Sequence, residues 1–114
     1  MSPLAREDGY CPRIQHAIEL VGRRWSGAIV LVLLGGPARY CQIRAAIPHL
    51  SDRLLAERLR ELEAEGVVSR EPDPMPSVTH RYLLTLKGYE LAPVVDALAK
   101  WSARWIVSPL PQSL

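Results

Sequence analysis

A chain of 114 residues, 48% of them hydrophobic, has enough apolar material for one core, and dividing it would leave two units too small to stand alone. The charged fraction of 23% is ordinary for a globular domain, and a net charge of +2 permits nucleic-acid binding without demanding it. The longest apolar run, Ala28 to Leu34, excludes a membrane span, and two cysteines, Cys11 and Cys41, exclude a disulfide framework.

Residues 1–10 read as a loose arm. They are polar, carry Glu7 and Asp8, and lack the pattern of a secretory signal. A cytoplasmic protein with reduced thiols is therefore expected. Pro12 suits the first turn of a helix that starts near Cys11 and runs to about Val21, with Ile14, Ala17, Ile18 and Val21 at helical spacing and Gly22 closing it. A second helix, from about Trp25 to Leu34, is apolar nearly all round and reads as buried. Gly35-Gly36-Pro37 stops it.

A short third helix follows from Arg39 to Ala46, with Tyr40, Ile43 and Ile47 inward. The tetrad Ile47-Pro48-His49-Leu50 is a turn. Ser51 caps a fourth helix that runs to Glu65 and ends at Gly66, with Leu55, Leu59 and Leu62 as its inner stripe. Two short strands are expected, Val67 to Glu71 and Thr79 to Leu84. The proline-rich stretch Pro72 to Val78 between them cannot be helix. Thr85 caps a last helix that runs to about Ile106, carries Leu91, Val94, Val95, Leu98, Trp101 and Trp105 on one face, and bends or breaks at Pro93. The fold class is α+β, mainly α.

A short helix, a tight turn and a longer capped helix make a helix-turn-helix unit, and a hairpin directly after it makes a wing. Such a unit lays its second helix in the major groove of double-stranded DNA. The first turns of that helix offer Ser51, Asp52, Arg53, Ala56, Glu57 and Arg58 outward, with Arg60 one turn on. Arginine pairs in bidentate fashion with guanine, and Ser51 with the helix-start N–H groups suits phosphate. The plainer alternative is a solvated face, with Arg53, Arg58 and Arg60 paired to Glu57, Glu61 and Glu63. From Ser51 to Glu65 there are three arginines against five acids, but the bases lie early and the surplus acids lie in the last turn. Arg39 and Arg44 before the turn, and Arg70, His80 and Arg81 on the hairpin, are further candidates for phosphate contact. Strand alternation puts Arg81 with Leu83 and His80 with Tyr82 and Leu84, so one of His80 and Arg81 faces the DNA.

Several blocks together resemble the HxlR-type regulators, winged helix-turn-helix relatives of the MarR group. These are Cys11-Pro12, Gly22-Arg23-Arg24-Trp25, Gly36-Pro37-Ala38-Arg39-Tyr40, the segment from Leu50 to Val68, Tyr82 to Gly88, and Leu91 to Leu98. The resemblance implies a DNA-binding transcription regulator, of repressor type, that works as a homodimer on a palindromic operator. The winged domain then spans residues 11–106, its first and last helices form the dimer interface, and 107–114 is a tail. Where the family often carries Pro-Pro-Arg in the wing, this chain has Ser77, Val78 and Thr79, and it has Glu57 where the family often has Gln.

In several members of that family the cysteine at the position of Cys11 senses electrophiles or oxidants. A helix start with Arg13 beside it also favours a thiolate. The alternative is a small residue packed at an interface. Cys41 reads as a core or half-buried filler. Trp25, Tyr89, Trp101 and Trp105 could line a pocket for a small aromatic effector, or simply pack. No cofactor is implied, and neither the cysteines nor His16, His49 and His80 have metal-ligand spacing. A winged-helix protein-interaction module and, less favoured, a thiol redox enzyme using Cys11 remain as alternatives. The second lacks a C-x-x-C pair, a phosphate loop and a catalytic triad.

Overall fold

A computed structural model describes residues 9–75 and 80–107. Helix α1 (Pro12–Gly22) starts with Pro12, whose missing N–H costs nothing in a first turn, and it buries none of its residues fully. Helix α2 (Ser26–Leu34) is the centre of the core, with Ile29, Val30 and Leu33 buried. It begins one residue later than the sequence pattern suggested. Trp25 stands outside it as N-cap in the left-handed region at φ 75°, a conformation that cannot be continued into a helix.

Helix α3 (Tyr40–Ala46) and helix α4 (Asp52–Ala64) form the helix-turn-helix. Arg39 is the residue before α3 rather than its first, and its N–H donates to the Gln42 side-chain oxygen at 2.8 Å. Ser51 caps α4, its Oγ accepting from the Leu54 N–H at 3.2 Å. Leu55, Leu59 and Leu62 are buried as a single stripe. Gly66, at φ 76°, turns the chain out of the helix in a conformation that other residues avoid.

Strands β1 (Val68–Pro72) and β2 (His80–Leu84) pair antiparallel, with Val68 opposite Leu84 and Pro72 opposite His80. The first strand starts one residue later than the expected Val67. The Ser77, Val78 and Thr79 stretch lies outside the described residues, as do residues 1–8 of the arm and 108–114 of the tail. Sequence reading missed that Ala38 bridges the other edge of β2. Its N–H donates to the Tyr82 carbonyl at 2.9 Å and its carbonyl accepts from Tyr82 at 2.7 Å. The wing is thereby sewn to the segment between α2 and α3, which fixes it beside the helix-turn-helix.

The expected single last helix is two. Thr85 caps α5 (Leu86–Tyr89), its Oγ1 accepting from the Gly88 N–H at 3.1 Å, and α6 runs over Ala92–Trp105. Pro93 explains the break: it has no N–H to give the Tyr89 carbonyl, and its ring would collide with that carbonyl. Gly88 packs so closely that a Cβ there would stand 2.3 Å from the Val67 carbonyl oxygen. The core joins α2, α3, α4 and both strands, and α6 reaches it through Val95 and, in part, Leu91. Beyond Val95 the apolar face of α6 is open, with Trp101 and Trp105 59% and 60% exposed. No helix among the described residues is long and apolar enough to cross a membrane.

Candidate nucleic-acid interface

At about 3.6 residues per turn, the leucine stripe of α4 faces the core and the side opposite it carries Arg53, Ala56, Glu57 and Arg60. Arg53 and Arg60 are exposed, and neither guanidinium has a partner among the described residues. Between the buried and the open side run two flanks. One holds Asp52 and Glu63, the other Arg58, Glu61 and Glu65.

The placement of Arg58 corrects the sequence reading, which set it on the outer face. Its side chain is 14% exposed, its Nε donates to the Arg24 carbonyl at 2.8 Å, and its Nη1 donates to Glu61 at 3.0 Å. The reason is its angle around the helix, one residue before Leu59 and turned toward the α1–α2 junction.

The other flank ties α4 to its neighbours. Arg44 Nε donates to the Asp52 carboxylate at 2.8 Å, and the Tyr40 hydroxyl donates to the Asp52 carbonyl at 2.8 Å. Burial pushes the Tyr40 phenol up, and the charge of Asp52 adds to this, so the hydroxyl keeps its proton and the bond its direction. Arg70 pairs with Glu63 at 3.1 Å and so joins β1 to α4. Together these contacts hold the two helices of the motif and the wing in one relation.

On the wing, Arg81 lies directly across from Glu71 and donates to its carboxylate. Arg70, Tyr82, His80 and Pro72 share the other face of the hairpin, and the His80 ring meets the edge of Tyr82 at 5.3 Å. The predicted division of Arg81 from His80 follows from this register. Arg39 is held at the base of the wing, its Nε donating at 3.1 Å to Asp73. Asp73 also accepts from the Met75 N–H at 2.8 Å. That N–H bond chiefly, and the Arg39 guanidinium beside it, hold the Asp73 carboxyl below the usual carboxylate range against the opposing effect of burial. Sequence reading passed over Asp73 and took Tyr40 only as an inward packing residue, without its bond to Asp52. A Pro-Asp-Pro-Met run is a signal for an Asp that closes on the N–H two residues on, and it could have marked Asp73.

Cys11 is partly buried at the N-cap of α1. Cys41 is exposed, which corrects the reading of it as a filler: Ile43 and Ile47 occupy the inner side of α3 and leave Cys41 opposite. Trp25 packs partly against the core with the Arg24 guanidinium 5.4 Å from its ring centre. Trp101 and Trp105 stand on the open face of α6, and Tyr89 is exposed at the end of α5. Among the described residues no group of three or more His, Cys, Asp or Glu is placed to hold a metal ion.

Comparison with known proteins agrees with this architecture. The model of the HxlR-like helix-turn-helix family matches residues 20–109. The uncharacterized HTH-type transcriptional regulator YvaP of Bacillus subtilis is 47% identical over 96 residues, 84% of this chain and 89% of that protein. The HTH-type transcriptional regulator YodB of the same organism is 41% identical over 92 residues, 81% of this chain and 82% of its own length. The structure of reduced YodB superposes with a TM-score of 0.77 at 39% identity, over 86% of this chain and 96% of that one. Quinone-bound YodB superposes with a TM-score of 0.72 at 38% identity, over 84% of this chain and 100% of that one. The winged helix-turn-helix seen here and the match over residues 20–109 place this chain in the HxlR-like helix-turn-helix family of DNA-binding transcription regulators.

Proposed function

We propose that this regulator reads double-stranded DNA through Arg53, Glu57 and Arg60, as a homodimer on an inverted-repeat operator. The observation that carries the reading is the division of labour on α4. Arg39, Arg44, Arg58, Arg70 and Arg81 are each bonded to a carboxylate of the same chain, whereas Arg53 and Arg60 face outward with no such partner among the described residues. Arg53 and Arg60 have the donors for guanine O6 and N7, and Glu57 between them accepts from cytosine N4. Ser51 still has its hydroxyl proton to give a phosphate oxygen, beside the open N–H groups at the start of α4. The paired arginines at the rim, Arg44 and Arg70 above all, retain further N–H groups for the backbone, and Asp52 serves to aim Arg44. On the wing, His80 and Arg81 are the candidates for the minor groove or phosphate.

Dimerisation is supported by the open stripe of Val94, Leu98, Trp101 and Trp105 on α6 and by α1, which buries nothing fully within its own chain. Cys11, at the start of α1, is the residue proposed to respond to electrophiles. YodB structures in diamide-treated and quinone-bound forms make quinones and diamide the reagents to try. The role is regulatory rather than catalytic, and its place is the cytoplasm.

The test is fluorescence anisotropy on a duplex from the promoter region of the protein's own gene, beside a random duplex. Arg53→Ala is expected to lose about 1–3 kcal/mol on the specific duplex and little on the random one. Equal losses on both would reduce Arg53 to a phosphate contact. Cys11→Ser should keep DNA affinity and lose its response to quinone or diamide, and a full response in that variant would remove Cys11 from the mechanism.

A further inference from the structure

The last turn of α4 is acidic and has no basic residue of its own, the wrong arrangement for the negative end of a helix dipole. Its partners come from other elements: α1 and the residue after it, Arg70 of β1 on Glu63, and α5. His16 Nε2 lies 2.7 Å from Glu65, and Arg23 Nη1 donates to Glu61 Oε2 at 2.9 Å. Glu61 uses its other oxygen for Arg58, and Arg58 in turn donates to the Arg24 carbonyl, so a closed chain of bonds joins the α1 end to α4. Lys87 donates to the Glu65 carbonyl.

Among the described residues the apolar contribution of α1 here is partial, through Leu20 against the core that holds Leu62. Helix α1 buries no residue fully, and a cleft of about 240 Å³ lies between it and α4. At this same C-terminal end α1 meets α2 through Trp25, two residues after Arg23, whose left-handed backbone is costly for a bulky residue and marks a corner held by its surroundings. The leucine stripe of α4 sets which face is buried, and because apolar contact is non-directional the fine rotation is left to polar contacts. Charge-assisted bonds from Arg23 and Arg58 are directional. They grip α4 at Arg58 and Glu61, within the same turn as the reading residues Glu57 and Arg60.

We infer that Arg23, Glu61 and Arg58 form a latch of positioning residues that sets the rotation of the recognition helix against α1, so that movement of α1 is delivered to the DNA-reading face. The inference rests on the dimeric reading above, because α1 is there an interface helix and the latch then also sets the distance between the two recognition helices. That distance fixes the half-site spacing a dimer accepts.

The experiment uses the full chain and inverted-repeat duplexes whose spacer is native, one base pair longer or one shorter. Arg23→Ala and Glu61→Gln should each weaken binding to the native spacer about fivefold, the scale of one solvent-exposed ion pair. Each should also blunt the preference for that spacer, and the double variant should be no worse than either single one. Arg23→Lys should keep the preference. Hydrogen exchange on the free protein gives a second readout independent of DNA, in which both single variants should speed exchange in α1 and in the second half of α4. Folded variants with wild-type spacer preference and additive losses, or with unchanged exchange, overturn the latch. If wild-type protein itself shows no spacer preference, the dimeric reading fails, and faster exchange supports the latch while unchanged exchange removes it.

Discussion

At the scale of single residues, the molecule separates side chains that hold the motif from side chains that are left for the partner. Arg58 and Arg53 are both arginines in the first two turns of one helix, and only their angle around it differs. The leucine spacing already contained that angle. A wheel drawn through Leu55, Leu59 and Leu62 puts Arg53 and Arg60 opposite the core and Arg58 beside it. What the spacing could not contain was the identity of the partner, since the Arg24 carbonyl comes from another element. Gly88 is a second residue whose role is positional. Its hydrogen sits where the chain of α5 crosses the carbonyl of Val67, and a Cβ would also fall 3.0 Å from the Leu84 side chain. Backbone cannot yield as a flexible side chain can, so Gly88→Ala should cost about 1–3 kcal/mol or more by overpacking. Urea unfolding of the two proteins measures it, and an unchanged midpoint would mean that α5 shifts freely on the sheet.

At the scale of elements, the helices were legible because each carries its own signal: a proline start, a serine or threonine cap, a leucine stripe, a glycine stop. The break between α5 and α6 was visible only as a disturbance at Pro93, and the bridge from Ala38 to β2 left no pattern, since one residue cannot show alternation. The wing depends on such unpatterned contacts. Its base is fixed by Asp73, which accepts from Met75 and from Arg39, while β1 is fixed to α4 by Arg70 and Glu63. The Asp73 carboxyl is held below its ordinary 3.8, so its ionised form is the one the fold prefers. The stabilisation it gives is therefore complete above that ordinary value and is lost as pH falls through the lower, folded value. Asp73→Asn should be less stable than wild type near neutral pH. The gap in urea midpoint should close on acidification, because wild type alone loses the contribution. A gap that stays constant into strong acid would show that the carboxylate charge is not what anchors the wing.

At the scale of the whole molecule, one chain leaves its largest apolar side chains outside. Val94, Leu98, Trp101 and Trp105 recur along α6 at i, i+4, i+7 and i+11, and their exposures run from 45% to 60%. The sequence displayed the stripe but not its destination, because intramolecular core and intermolecular seam have the same helical period. The fold decides between them only as far as Val95, which is buried, and beyond it Leu98, Trp101 and Trp105 are each more than half exposed among the described residues. Water is a poor neighbour for two tryptophans, and a second copy of the same helix is the symmetric way to cover them. Burying each large side chain contributes about 1.5–3 kcal/mol, so in the proposed dimer the stripe would be a substantial share of the stability of the pair. Stability should then depend on protein concentration, with the unfolding temperature rising as concentration rises, by mass action. Leu98→Asp places a charge in the middle of the seam. Sedimentation should show it as a monomer where wild type is a dimer, and its unfolding temperature should no longer move with concentration. Its single-chain core is untouched, since Leu98 contributes nothing to it, so the variant should keep helical circular dichroism while losing affinity for the full operator far more than for a half-site. A monomeric wild type, or a dimer that survives Leu98→Asp unchanged, would mean that α6 presents its tryptophans to something other than itself.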